Sequence, residues 1–200
     1  MPFIATTPAS EATGLTAEMY QTVRGRAGFD PNWVEAFSLR PEVWKNWDLL
    51  WASVRSNLPP RIWELATLAA AQAIRSSYCS LAHGRVLAEK FFDASTVTAI
   101  ATDRDTAPLE ARERAVMDFA EKVAVAADRI TQADVDGLRA HGFSDAEIFD
   151  IAAVAAARCF FSKMVDAMGA LPDAALGTLD PAMRDALTVG RPIAGTAANR

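Results

Sequence analysis

The chain has 200 residues, 51% hydrophobic and 22% charged, so it can bury a core and does not have the composition of a disordered chain. Twenty basic against 25 acidic side chains leave a net charge of −5, which argues against a surface built to neutralise nucleic-acid phosphates. No apolar run nears the ~20 residues that span a bilayer, and the start, Met1 to Pro8, lacks the basic region of a secretory signal. Two cysteines, Cys79 and Cys159, fit no disulfide framework. No nucleic-acid or membrane partner is therefore expected, and a reducing cytoplasm is the expected location.

Alanine occurs 41 times, and alanine is the best helix former. Period-two alternation is almost absent, while apolar residues recur at i, i+3, i+4 and i+7, so the chain reads as all-α. Residues 1–14 read as a polar arm, 15–188 as one helical domain and 189–200 as a small-residue tail. Thr16 is expected to cap a helix to about Val23, broken by Gly25 and Gly28. Asp30-Pro31 opens a helix to about Leu39. Pro41 opens another to about Ser56, with Trp44, Trp47 and Trp51 on one face. That face suits core packing or, alternatively, a subunit interface, where tryptophan is enriched. Pro59-Pro60 starts a helix from Arg61 to about Arg75. The capping pair Ser76-Ser77 marks a break before a helix from Tyr78 to about Phe91. Asp93 caps a segment to Ala101, and a polar loop runs from Thr102 to Ala107. A long amphipathic helix is expected from Pro108 to about Ala127, with Val116, Phe119, Ala120 and Val123 as its apolar stripe. Thr131 caps a helix to Ala140. Ser144 and Glu147 have capping-box spacing and launch a helix from Asp145 to about Met168. A short helix near Pro181–Leu187 precedes the tail.

Residues 62–71 (IWELATLAAA) align in residue type with 148–157 (IFDIAAVAAA), with Thr67 against Ala153 the one mismatch. This suggests an internal helix repeat packed through small-residue faces. Only the first copy leads on to a cysteine and a histidine. Cys79 and His83 are i, i+4 on one helix, about 40° apart around its axis, so their side chains can meet. Cys79 also falls in the first turn. There the positive end of the helix dipole and a neighbouring imidazole favour a reactive thiolate. The plainer alternative is a buried cysteine beside a satisfied histidine.

The segment from Glu64 through Ser76-Ser77-Tyr78-Cys79-Ser80-Leu81-Ala82-His83 resembles the alkylhydroperoxidase D / carboxymuconolactone decarboxylase superfamily. Its peroxidase branch has a glutamate followed by C-x-x-C-x-x-x-H. In that spacing Glu64, Cys79 and His83 match, and Ser76 stands at the first cysteine. Leu58-Pro59-Pro60, Tyr78, the segment from Gly142 to Ile148 and the segment from Asp166 to Gly169 also resemble the family, over roughly residues 28–172. The resemblance implies a compact multi-helix fold, homo-oligomers and no metal or organic cofactor. It further implies a thiol-dependent peroxidase acting on a hydroperoxide with an external thiol reductant. In that reading Glu64 orients or reprotonates His83, and His83 deprotonates Cys79, with Ser76 and Tyr78 as supporting positions.

In one straight helix Glu64 and His83 would lie ~28 Å apart. Their cooperation therefore requires a chain turn near Ser76-Ser77, or Glu64 from another subunit. The decarboxylase branch implies an alternative: a lyase using Glu64 and His83 as acid and base on a small carboxylic acid held by Arg75 or Arg85. A non-catalytic oligomeric scaffold is a third reading. No zinc site is expected, because Cys79, His83, His141 and Cys159 do not form two close ligand pairs. Cys159, in the second repeat, is either a resolving thiol on a neighbouring helix or core.

Ser76 cannot close an internal disulfide, so the natural protein should stop at a sulfenic acid or a mixed disulfide on hydroperoxide treatment. Ser76→Cys should instead form a 76–79 disulfide, the two positions being i, i+3 at a helix start. Mass spectrometry of trapped thiols distinguishes the two outcomes. Identical behaviour of both proteins, with Cys79 unoxidised in each, would contradict the peroxidase reading.

Overall fold

Proline placement and side-chain caps set most of the element boundaries. In the computed structural model, which describes residues 2–195, ten α-helices follow one another. They are α1 (Gly14–Ala27), α2 (Asn32–Phe37), α3 (Pro41–Arg55), α4 (Pro60–Ala73), α5 (Ser77–Lys90), α6 (Ala94–Thr102), α7 (Ala111–Ala126), α8 (Gln132–Ala140), α9 (Asp145–Ala167) and α10 (Pro181–Leu187). No strand occurs among the described residues, so the fold is all-α. No helix among them is long and apolar enough to cross a membrane. Pro41, Pro60 and Pro181 each occupy the first helical position, where the missing N–H costs nothing. Asp93, Ser144 and Asp180 accept from backbone amides at the starts of α6, α9 and α10.

Several starts differ from the sequence reading. α1 begins at Gly14 and continues through Gly25, so Thr16 caps nothing; its Oγ1 donates to the Ser38 carbonyl instead. α7 begins at Ala111 rather than Pro108, because Glu110 and Glu113 form a capping box in acidic residues. A 3-10 turn at Ala174–Thr178 carries no sequence signal as clear as a cap.

α4 is the central element. Its ten residues from Ile62 to Ala71 are all buried, and α5, α7 and α9 pack around it. Alanines at 66, 69, 70 and 71 let those helices approach closely, since interaxial distance follows side-chain size. Leu65 and Leu68 are fully buried, each contributing roughly 1.5–3 kcal/mol. A second apolar cluster lies under α1–α3 and includes Met19, Phe37, Trp44, Trp47 and Phe161. Trp44 and Trp47 are thus buried within a single chain, and core packing accounts for them without a second subunit.

The two repeat segments lie on helices that pack together, yet they are used differently. Trp63 is buried, while its counterpart Phe149 is 71% exposed. Glu64 meets His83, while Asp150 accepts from Asn57 Nδ2. The structure does not establish a duplication.

The chain ends are pinned more firmly than an arm and a tail suggest. Phe3 N donates to the Met168 carbonyl, and the Tyr20 hydroxyl donates to the Thr7 carbonyl. At the other end Ile193 is buried, and Ala194 N donates to the Pro172 carbonyl. Met1 and residues 196–200, the outer parts of the expected arm and tail, lie outside the described residues.

The turn between α4 and α5 has a strained residue at its centre. Arg75 takes φ 59, left-handed backbone that costs a non-glycine residue about 1 kcal/mol or more. The C-terminal segment braces this turn: Gly190 N donates to Ser77 Oγ at 2.7 Å. A Cβ on Gly190 would sit 2.1 Å from the Arg75 carbonyl oxygen, so only glycine lets the two backbones meet. Gly190→Ala should therefore destabilise the protein by about 1–3 kcal/mol, read as a lower urea midpoint at unchanged slope. An unchanged midpoint would show that the tail does not brace the turn.

Candidate functional site

The turn at residues 74–76 reverses the chain, so the long separation of a straight helix never arises. Glu64 on α4 and His83 on α5 meet within one chain, with His83 Nδ1 2.6 Å from Glu64 Oε2. Glu64 is nearly enclosed, and 16% of the His83 side chain stays open, toward a cavity of about 330 Å³ that both His83 and Cys79 line.

Electrostatics fix the proton. Burial alone would raise the Glu64 carboxyl, but the attraction of His83, Arg158 and Arg55 outweighs it and holds the group below the usual carboxylate value. Burial, with Arg158 and Arg55 adding to it, pushes the His83 imidazole below its usual value despite Glu64. An ionised carboxylate against a neutral imidazole places the proton on Nδ1, donated to Glu64. His83 Nε2 is left as an acceptor.

Cys79 is the third residue of α5 and shares the helix face of His83. Arg158 on α9 donates from Nη1 to Cys79 Sγ at 3.4 Å. The guanidinium lies over the Trp51 ring at 4.1 Å from its centroid and near Phe161 at 5.2 Å, a cation–π arrangement in a desolvated place. Its Nε has no hydrogen-bond partner although buried. Trp47 stacks on Phe161 at 4.4 Å, and Trp51 packs on Trp63 at 4.1 Å. The tryptophans of α3 therefore hold Arg158 as well as filling core.

The supporting residues divide. Tyr78 lines the cavity with its ring and donates its hydroxyl to Asp173 Oδ2 at 2.5 Å. Burial and then Asp173 push this phenol far up, so it remains a protonated donor. Ser76 is completely buried but does not line the cavity. Its Oγ has no hydrogen-bond partner among the described residues, and burial pushes the nearby Asp166 carboxyl up. Ser76 is thus held in the turn by its backbone, its N donating to the Ala71 carbonyl at 2.9 Å, and is not a neighbour of the cavity.

Arg75 and Arg85, named from sequence as carboxylate holders, do not line this cavity. Arg75 is exposed on the turn, and Arg85 faces Glu89 at 3.7 Å. Cys159 also stays out of the cavity; one residue along α9 from Arg158, it points elsewhere, and burial pushes its thiol up. Arg158 is the residue that the sequence reading missed. Its signal was present: it is the one charged residue between Ile151 and Ser162, and it sits on the buried stripe of Ile151, Val154, Ala155, Ser162 and Val165.

The result is an all-helical scaffold in which Cys79 and His83, the latter bonded to Glu64, line one aromatic-walled cavity. Residues 41–122 match the carboxymuconolactone decarboxylase family. In this segment and in its fold the chain is similar to the alkylhydroperoxidase D / carboxymuconolactone decarboxylase superfamily. An uncharacterized peroxidase-related protein from Ralstonia eutropha, with an alkylhydroperoxidase D core, is similar at 25% identity and TM-score 0.79, covering 88% of this chain and 94% of that one. A peroxidase-related protein from Silicibacter is similar at 25% identity and TM-score 0.74, covering 88% and 92%. The debrominase Bmp8, solved in complex with 2,3,4-tribromopyrrole, shares the fold at 17% identity and TM-score 0.71, covering 94% and 96%. A search of curated proteins gave no match.

Both Glu64 and His83 titrate below their ordinary values of 4.5 and 6.5. The folded chain then binds fewer protons than the unfolded chain, and stability rises with pH across that range. The contribution is fully present above the unfolded imidazole value. It is lost as the pH falls, first through His83 and then through Glu64. Urea midpoints should accordingly fall between about pH 7 and pH 4, and His83→Gln should flatten the upper part of that fall. Equal slopes in both proteins would contradict the neutral, buried imidazole.

Proposed function

We propose that the protein is a cysteine-dependent hydroperoxide reductase of the one-cysteine kind. The observation that carries the reading is the convergence of Cys79, the Glu64–His83 pair and Arg158 at one cavity. In the proposed reaction His83 Nε2 accepts the Cys79 proton while Glu64 steadies the imidazole through Nδ1. The thiolate attacks the terminal oxygen of R–O–OH, the O–O bond breaks, and Cys79 becomes a sulfenic acid. The leaving alkoxide takes the proton back from His83 and departs as the alcohol. The Arg158 guanidinium meets the negative charge on sulfur before attack. One external thiol then condenses with the sulfenic acid, releasing water and leaving a mixed disulfide. A second thiol releases Cys79 and departs as the external disulfide. The external thiol reductant, a homo-oligomeric state and a cytoplasmic location belong to the same proposal.

The second reading is a lyase of the decarboxylase type, and the name of the matching family favours keeping it. The same Glu64–His83 pair would move protons on a small carboxylic acid, with Arg158 or Arg55 in the anchoring role first given to Arg75 or Arg85. A scaffold without catalysis is the remaining alternative.

The test is organic hydroperoxide consumption in the presence of a monothiol. Cys79→Ser should abolish it, and His83→Gln should lower kcat by about 10²–10⁴. Iodoacetamide should label Cys79 faster than Cys159 at neutral pH. The lyase reading predicts the opposite pattern on an unsaturated lactone acid: Cys79→Ala nearly silent and His83→Ala inactive. No turnover in either assay would favour the scaffold.

A further inference from the structure

The cavity beside Cys79 has more positive charge than its own residues neutralise. Three arginines line it against one aspartate, on a chain whose net charge is −5. Two of the three are engaged. Arg26 on α1 forms a two-point ion pair with Asp48 on α3, at 2.7 and 3.1 Å. Arg158 is held between Cys79 Sγ and the Trp51 ring. Arg55, the last residue of α3, is exposed and has no ion pair among the described residues. Its charge is felt at both Glu64 and His83. It therefore stands at the mouth of the site with an unassigned guanidinium fork.

The walls carry the complementary information. Trp33, Trp44, Trp47, Trp51 and Phe161 line the cavity, and several are stacked on one another rather than loosely packed. Flat rigid walls select flat ligands, because ring-on-ring contact adds to area burial. An apolar cavity of roughly 150 Å³ already takes benzene. About 330 Å³ leaves room for a substituted or fused ring with a polar arm reaching the mouth.

We infer that this cavity selects ligands joining a planar aromatic or conjugated body to a carboxylate, with the body against the aromatic walls and the carboxylate on Arg55. Resting on the peroxidase reading, the preferred substrate is a hydroperoxide of that kind rather than hydrogen peroxide or a neutral alkyl hydroperoxide. The carboxylate on Arg55 orients the ring and aims the reacting oxygen at Cys79. A guanidinium fork that matches a carboxylate at two points makes a strong charge-assisted contact.

Isothermal titration of the full chain with unreactive probes separates binding from chemistry. 2-Naphthoate should bind at least about tenfold tighter than uncharged 2-naphthalenemethanol and than non-planar cyclohexanecarboxylate. Arg55→Met should reduce the charge preference at least about tenfold, and Arg55→Lys should restore part of it. In the thiol-coupled assay, the 4-carboxylate of cumene hydroperoxide should show a higher kcat/KM than cumene hydroperoxide, and Arg55→Met should erase that advantage. Equal affinities for naphthoate and naphthalenemethanol, or a preference that survives Arg55→Met, would overturn the inference even if hydroperoxides are reduced. Arg55-dependent naphthoate binding with no hydroperoxide turnover would instead overturn the peroxidase reading and leave the ligand class standing.

Discussion

The hydrogen bond between Glu64 and His83 is the constraint to which the rest of the structure answers. A carboxylate on the most buried helix of the fold is costly unless something meets its charge, and His83 does so at 2.6 Å. The bond exists only because the chain reverses at residues 74–76, and that reversal carries Arg75 in left-handed backbone. The C-terminal segment lies against the turn through Gly190, and Ser76 is enclosed within it, its N donating to the Ala71 carbonyl. Sequence-distant parts of the chain thus hold one turn, and that turn holds one proton on Nδ1 of one histidine.

A second layer acts on the sulfur. α9 supplies Arg158, and α3 supplies the aromatic surface on which its guanidinium rests. Cys79 therefore sits in the first turn of its own helix, one turn before His83 and against a fixed cation from another helix. Ser76 helps to explain why a single thiol could suffice in this design. Its position is enclosed and outside the cavity, whereas Cys79 faces the space where a substrate and an external thiol would arrive. The same space is walled by aromatic rings and has at its mouth Arg55, which forms no ion pair among the described residues.

Much of the fold was legible because its signals are local. Prolines at 41, 60 and 181, the Asp93 cap and the Ser144–Glu147 box each act within one turn of helix, so sequence places those starts within a residue or so. The α4–α5 break falls at Ser76-Ser77 as read, but not because they cap: the Ser76 side chain makes no cap hydrogen bond, and Ser77 Oγ accepts from the distant Gly190 N. What stayed hidden depends on contacts between distant segments. Thr16 has the look of a cap, but its hydroxyl is taken by the Ser38 carbonyl. Glu110 is a poor cap by type, yet Glu113 completes a box with it. The chain ends read as an arm and a tail because nothing local shows that Phe3 meets Met168 or that Ile193 is buried. The candidate site divides in the same way. Glu64, Cys79 and His83 are near in sequence and were named from it; the fold joins Glu64 to His83 and sets His83 and Cys79 on one cavity. Arg158 comes from the far side of the chain, and only its isolation on an apolar face betrays it. Arg75 and Arg85, close to the cysteine in sequence, point away from it.

The proposed chemistry turns on one imidazole that is neutral and protonated on Nδ1 toward Glu64, which leaves Nε2 as an acceptor. The chain has two histidines, so long-range proton–nitrogen NMR of histidine-labelled protein, with His141→Asn for assignment, reads it directly. The account predicts that near neutral pH His83 shows a protonated Nδ1 and an unprotonated Nε2, and that Glu64→Gln disturbs this tautomer. A doubly protonated His83, or a proton resident on Nε2, would contradict it.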